Sequence, residues 1–247
     1  MSTNLARASN RELQAENAGL RSLLTQAGRD AATLVTKAGL DAEASEDAKA
    51  LQHLLLLELQ HRLKNTLATV MAITSQSLRT AETLEQGRIA VEQRILALGR
   101  AHDLMLQANW SPSNLFDVVQ TAIGPFDDHE ETRFSVQDGA LEIGSEVILP
   151  LVLSLNELCT NALKYGALSN STGRIAIKWT VDEDMLRFSW TETGGPAVRE
   201  PRRKGFGTRM IDRLGAQIHG TVRKKYEPDG FIYELDVHLT ELRRRVA

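Results

Sequence analysis

Cysteine is almost absent. A single Cys159 in 247 residues excludes an intrachain disulfide and leaves no thiolate cluster for zinc, a usage that fits a reducing cytoplasm. A large excess of either charge is also missing: 29 basic against 32 acidic residues give a net charge of −3. Broad electrostatic attraction to nucleic acid or to a membrane surface is therefore not expected. No apolar run approaches the ~20 residues needed to span a bilayer, and the first residues hold no hydrophobic signal core. No recognisable input domain precedes His61. The expectation is a soluble, cytoplasmic chain with neither nucleic acid nor membrane as partner, long enough for one large domain or two smaller ones.

What is present is strongly patterned. Leu56, Leu59, Leu63, Leu67, Val70 and Ile73 recur at three- and four-residue steps and predict an amphipathic helix from about Ala50 to Leu78. His61 falls off that stripe, sharing its face with Glu58, Lys64 and Asn65. An imidazole flanked by a cation, an amide and a carboxylate is a candidate acceptor for an anionic group, although alone such a face is an ordinary polar helix surface. Thr83-Leu-Glu-Gln86 reads as a capping box opening a second helix with the stripe Val91, Ile95, Leu98, His102 and Met105. On that stripe His102 reads as a core histidine with its hydrogen bonds met. Two long helices bury one face against each other, and pairing two such hairpins closes a four-helix bundle, so a homodimer is expected. Ahead of the hairpin, Leu13, Leu20, Ala27 and Leu34 are spaced by sevens with polar or small companions, the pattern of a weak coiled coil or helical linker.

Asn109-Trp110-Ser111-Pro112 breaks the helical periodicity and marks a boundary. Beyond it the pattern is mixed. A short helix, Leu115 to Ile123, is followed by a nearly all-apolar helix from Ser145 to Tyr165, in which Pro150 should introduce a kink. Ile175, Ile177, Trp179 and Val181 alternate, as do Leu186, Phe188 and Trp190, with Asp182-Glu-Asp184 as the turn between them. A helix from about Thr208 to Ile218 ends at Gly220, and two more strands flank Glu227-Pro-Asp-Gly230. The fold class expected is multidomain: an α part, the helical hairpin, and an α+β part, a sandwich of helices on a mixed sheet.

Three clusters in the second part carry chemistry. On the apolar helix, Glu157, Asn161 and Lys164 are spaced to project from one side; polar groups interrupting a buried helix cost free energy unless partnered, and an amide oxygen suits Mg²⁺ beside phosphates. Trp190-Thr-Glu192-Thr-Gly194-Gly195-Pro196 ends a strand in a glycine turn that lets a ligand approach backbone. Gly205-Phe206-Gly207-Thr208 places glycines at the start of a helix, whose free amides can bind phosphate. Between the last two runs a basic loop with Arg199, Arg202, Arg203 and Lys204.

In that order the motifs resemble the HWE family of bacterial sensor histidine kinases, whose catalytic part belongs to the ATPase class of gyrase and Hsp90. The family's phosphoacceptor motif is matched by His61-Arg62-Leu63-Lys64-Asn65. Its Ala-His-Asp-Leu stretch and following tryptophan are matched by Ala101 to Leu104 and Trp110, and its N-box by Thr160 to Ser169. Its Trp-x-Glu with Gly-Gly-Pro is matched by Trp190 to Pro196, and its Gly-Phe-Gly-Thr by Gly205 to Thr208. The similarity spans roughly residues 50 to 240. The chain departs at Asn156, where the family has the histidine that gives it its name.

The resemblance implies a helical-hairpin dimerisation and phosphoacceptor domain over residues 50–109, an ATP-binding α/β-sandwich domain over 110–247, and a leader over 1–49. It implies ATP as phosphoryl donor with Mg²⁺ on Asn161, and His61 as acceptor. Glu157 would orient water or metal, Lys164 would add charge, and Glu192 would stand for the family's adenine-reading aspartate with Gly194 allowing close approach. Gly205, Gly207 and Thr208 would cradle phosphates, with Tyr165, Gly195 and Phe206 completing the nucleotide site. Glu58 is a candidate partner for the His61 ring. The implied partners are an aspartate-bearing response-regulator receiver domain, a second copy of the chain and a separate sensor protein. Two other readings stay open at this point: a histidine phosphotransfer or scaffold protein with a degenerate nucleotide domain, and a serine-directed anti-sigma kinase of the same ATPase class.

Overall fold

The structure is a computed structural model that describes residues 46–108, 111–127, 133–137, 139–198, 200 and 206–243. The heptad-like leader, Trp110 and the basic loop with Arg199, Arg202, Arg203 and Lys204 therefore lie outside the described residues, as does Gly205. The chain divides into two compact units, Met1–Thr74 and Ser75–Ala247, each considered by itself.

The first described element is helix α1, Glu46–Thr80, 35 residues long and extending at both ends beyond the expected span. Within the first unit Leu56, Leu63, Leu67 and Val70 of the expected apolar stripe are half-buried and Ile73 is buried, while the side chain of Leu59 lies outside the described residues.

The second unit opens with the last residues of α1 and helix α2, Leu84–Gln107. Thr83 caps α2, its hydroxyl accepting from the Gln86 amide at 3.2 Å, while Gln86 Oε1 accepts from the Glu82 amide at 3.2 Å. The reciprocal half of the box thus lands one residue before the cap. The buried side of α2 is Gly87, Arg94, Ala97, Leu98, Ala101 and Met105. That corrects the expected stripe: Ile95 is 39% exposed and Arg94, a turn before Leu98, takes the inward position. His102 is half-buried, with Nδ1 3.1 Å from the Leu98 carbonyl a turn earlier.

The remainder is a layer of helices on a sheet. Strand β1 (Ser113–Asn114) leads into α3 (Leu115–Ile123), capped by Asn114, whose Oδ1 accepts from the Phe116 amide at 2.9 Å. Strands β2 (Phe134–Val136) and β3 (Glu142–Ile143) precede α4, Ser145–Tyr165, which runs through Pro150 as one helix. Then come β4 (Arg174–Asp182), β5 (Met185–Thr193), α5 (Phe206–Gln217), β6 (Thr221–Glu227), β7 (Gly230–His238) and the short α6 (Leu239–Leu242). The main sheet has five strands in the order β2-β4-β5-β7-β6; β2 runs parallel to β4 and every other pair is antiparallel. Both hairpins turn where expected, with Glu183 at φ 53° in the first and Gly230 at φ 153° in the second.

Alternation places Ile175, Ile177, Trp179, Leu186, Phe188, Trp190, Tyr233, Leu235 and Val237 on the sheet's inner face. They meet Val118, Val119 and Ala122 of α3, Ile148, Val152, Leu155 and Leu158 of α4, and Ile211 and Leu214 of α5 in one continuous core. Val181, at the strand's end, escapes the pattern and is 46% exposed. Among the described residues α4 is the one helix long and apolar enough to cross a membrane, and 72% of its apolar window is buried inside this core.

Truncating Leu155, which is 1% exposed at the middle of α4, should cost about 3 kcal/mol with an unchanged m-value in urea unfolding.

Candidate functional site

In the first unit, His61 stands exposed on α1. The Asn65 amide one turn on lies against its ring, nitrogen to Nδ1 at 3.4 Å. The two ends of an amide interchange by a flip, so Asn65 can donate to Nδ1 or accept from Nδ1–H; in the second case the Nε2 lone pair is free. The side chain of Glu58, the partner expected from spacing, lies outside the described residues. Lys64 is exposed on the same face.

In the second unit the candidate residues gather at the C-terminal half of α4. Asn161 is half-buried, Lys164 and Tyr165 are exposed, and the spacing puts Glu157, Asn161 and Lys164 on successive turns. Among the described residues the Asn161 amide and the Lys164 ammonium meet no hydrogen-bond or ion-pair partner, which leaves both for a ligand. Glu157 differs. It is buried, and both its oxygens are held by Arg94 of α2: Nε donates to Oε1, and Nη2 to Oε2 at 2.9 Å. Arg94 Nη1 donates to Ser77 Oγ at 2.6 Å. Beside it Arg100 Nη2 donates to Asn156 Oδ1 at 3.2 Å. The residue in place of the family's histidine is thus an acceptor for an arginine of α2.

Sequence reading missed Arg94, Arg100 and Ser77. The signal for Arg94 was available, since it stands four residues before Leu98 and eleven before Met105, on the phase of the true inward stripe.

Just past α4 the chain turns at Gly166 and meets the end of β5. Glu192 is buried there, 4% exposed. Its Oε2 accepts from the Ala167 amide at 2.9 Å and its Oε1 from Trp190 Nε1 at 3.1 Å. Burial pushes its carboxyl up from the ordinary range, against the pull of those two hydrogen bonds. The glycines are a condition of this packing. The Glu192 carboxylate occupies the space that a Cβ at Gly166 would need, and one at Gly195 would stand 2.7 Å from Ala167 Cα. Gly194 has φ +70°, with its carbonyl accepting from Asn170 Nδ2 and Thr172 Oγ1, each at 3.0 Å. Gly195 is half-buried.

Helix α5 shares the core with α4 through Ile211 and Leu214, and it begins at Phe206. Gly207 and Thr208 therefore sit in its first turn, where backbone amides have no intrahelical acceptor. Free amides at a helix start, and separately an unpartnered amide and an ammonium on α4, are groups of the kind that bind phosphate. Among the described residues no cluster of three or more His, Cys, Asp or Glu is placed to hold a metal ion. That donor set suits Mg²⁺ held by a single amide oxygen together with waters and phosphates, not a dedicated carboxylate cage.

The architecture is shared with solved proteins. The blue-light activated histidine kinase of Erythrobacter litoralis superposes with a TM-score of 0.57 at 20% identity, over 81% of this chain and 62% of that one. The histidine kinase domain of the same protein gives 0.54 at 16% identity, over 71% and 84%. The fold is the one found in histidine kinases. Residues 58–140 match the sequence profile of the HWE histidine kinases. A blue-light-activated histidine kinase of Brucella anthropi is 34% identical over 81% of this chain, and one of Brucella ovis is 36% identical over 72%. Residues 58–140 belong by the profile match to the HWE histidine kinases. The chain spans 42% and 37% of the length of these two relatives.

Breaking the buried pair with Arg94→Ala strands a carboxylate in the core and should cost about 3–5 kcal/mol, read as the shift in urea midpoint. Arg88→Ala, which breaks exposed pairs with Glu85 and Glu92, should leave the midpoint where it was. Glu192 makes a second prediction. Because its folded pKa is raised, the native state binds the extra proton between the ordinary and the raised value, so stability falls as pH rises through that window. Urea unfolding of wild type and Glu192→Gln from about pH 4 to about pH 8 should show wild type losing ground to the variant as pH rises.

Proposed function

We propose that the chain is an ATP-dependent protein-histidine kinase that phosphorylates its own His61 and passes the phosphoryl group to an aspartate of a response-regulator receiver domain. The observation that carries this reading is the pairing of two features in one chain. One is an exposed imidazole with a neighbouring amide on a long helix. The other is a second unit in which Asn161 and Lys164 of α4 are unpartnered among the described residues and a buried Glu192 meets the segment just past α4.

The roles follow from chemistry. Glu192, with each oxygen keeping a lone pair beyond its internal hydrogen bond, accepts from the exocyclic amine of adenine, and Gly194 and Gly195 let the base approach. Gly205, Phe206, Gly207 and Thr208 offer amides and a hydroxyl to the phosphates, and Tyr165 and Lys164 line the open side. Asn161 offers its amide oxygen to Mg²⁺. When bound, the metal neutralises phosphate charge and so eases transfer. His61 attacks the γ-phosphorus with a ring lone pair; a P–N bond forms as the bond to the β-phosphate oxygen breaks, and ADP leaves. Asn65 accepting from Nδ1–H would hold the ring in the tautomer that frees Nε2. Glu157 remains the candidate to orient water or metal, through the lone pair each oxygen keeps beyond its hydrogen bond from Arg94.

Exposed Leu54, Leu55 and Leu57 on α1, and Leu84, Leu96 and Leu106 on α2, support pairing of two copies through the hairpin. A cytoplasmic location and a separate sensor protein complete the proposal.

Incubation with γ-labelled ATP tests it. Acid-labile, alkali-stable label should appear on wild type, vanish in His61→Gln, and fall at least about a hundredfold in Asn161→Ala. Label that persists in His61→Gln would refute the assignment of the acceptor.

A further inference from the structure

We propose that Arg133, a residue no motif singles out, is a positioning residue that sets adenine recognition from outside the pocket. The inference rests on the nucleotide reading of the Glu192 site. Arg133 is half-buried just before β2, and its guanidinium faces three backbone carbonyls of the segment that follows α4. Nη2 donates to Ala167 O at 3.0 Å and also to Asn170 O, and Nε donates to Gly173 O at 3.4 Å. A planar fork of N–H donors satisfies several carbonyls at once, which an ammonium on a flexible stem does less well.

The clamped residues are the ones that shape the base pocket. Ala167 donates its amide to Glu192 Oε2, and Asn170 Nδ2 donates to Gly194 O. Gly173 donates to Asn170 Oδ1 at 2.8 Å, so the clamped segment is closed on itself. Ala167 is held between Gly173 and Gly195, at either of which a Cβ would collide with it. The other end of Glu192 is reached through the neighbouring residue. Phe134 sets its ring edge-on to Trp190 at 6.2 Å, and Trp190 Nε1 donates to Glu192 Oε1. Arg133 itself is fixed in the sheet, its carbonyl accepting from the Ile175 amide at 2.9 Å. Arg133 and Phe134 thus govern the two oxygens of the base-reading carboxylate from one strand start, without touching the base.

The substrate consequence is discrimination at the purine 6-position, where ATP carries an amine and ITP an oxo group that cannot donate to Glu192. Isothermal titration of the full chain with ATP and with ITP, each with Mg²⁺, tests it on wild type, Arg133→Leu, Arg133→Lys and Asn170→Ala. Wild type should prefer ATP. Arg133→Leu should weaken ATP about tenfold and leave ITP within about twofold, Arg133→Lys should recover part of the loss, and Asn170→Ala should weaken ATP selectively. An equal fall for both nucleotides, or ATP affinity unchanged in Arg133→Leu, overturns the proposal. If Arg133→Leu does not fold, the same comparison in Asn170→Ala, at an exposed position, decides by the same criteria. Wild type that binds neither nucleotide overturns the nucleotide reading itself. Wild type that binds both equally keeps the nucleotide site and removes the base-reading role of Glu192, and this proposal with it.

Discussion

A guanidinium and a carboxylate that leave water together, Arg94 on α2 and Glu157 on α4, tie two helices of the second unit to each other. Each ion alone would be costly to bury, and the fork geometry, with Ser77 taking a further N–H, makes the pair tolerable. It obliges α2 to lie against α4 in one register. Ala97, Leu98, Ala101 and Met105 then fall on the inward side, and Arg100 reaches Asn156. Within the second unit, α2, which the sequence assigns to the hairpin, thus shares a core with the helices of the α/β layer through Ala101 and Met105.

At the other end of α4 the constraint is of a different kind. Glu192 is buried opposite an amide and an indole, and among the described residues these dipoles are what its carboxylate meets. A site built this way is sensitive to small displacements of the donors, because a carboxylate with a raised pKa gains most from hydrogen bonds of good geometry. The absence of side chains at Gly166, Gly173 and Gly195 lets the three backbone segments around Ala167 approach closely enough to supply that geometry. Those glycines serve contact; among them and their neighbour Gly194, only Gly194 is in the left-handed region of φ.

How much of this was legible in the sequence depends on the range of the interaction. Local signals read well. The bounds of α3 and α4 follow from apolar patterning, and the two hairpins from alternation broken by Asp182-Glu-Asp184 and Glu227-Pro-Asp-Gly230. The grouping of Asn161 and Lys164 on one side of a helix is likewise a matter of spacing. The spacing of Arg94 from Leu98 and Met105 carried the phase of α2, but not what makes a charge tolerable on the inward side, a partner 63 positions later. The parallel pairing of β2 with β4 was illegible for the same reason: three residues give too little alternation to identify a strand, and its neighbour is found only in the fold. Arg133 shares that fate, since carbonyl acceptors leave no trace in the side-chain sequence.

The apolar character of α4 bears on how the molecule comes into being. The helix leaves the ribosome before β4, β5 and β7, the strands whose inner faces cover it. During synthesis at about 5–20 residues per second it must wait several seconds with its greasiest surface unshielded. Early docking of α2 and α3, already made by then, would shelter one flank, which gives the upstream helices a part to play in biogenesis apart from any in signalling. A nascent chain stalled before β7 would leave that surface open to chaperones and to its neighbours on the polysome.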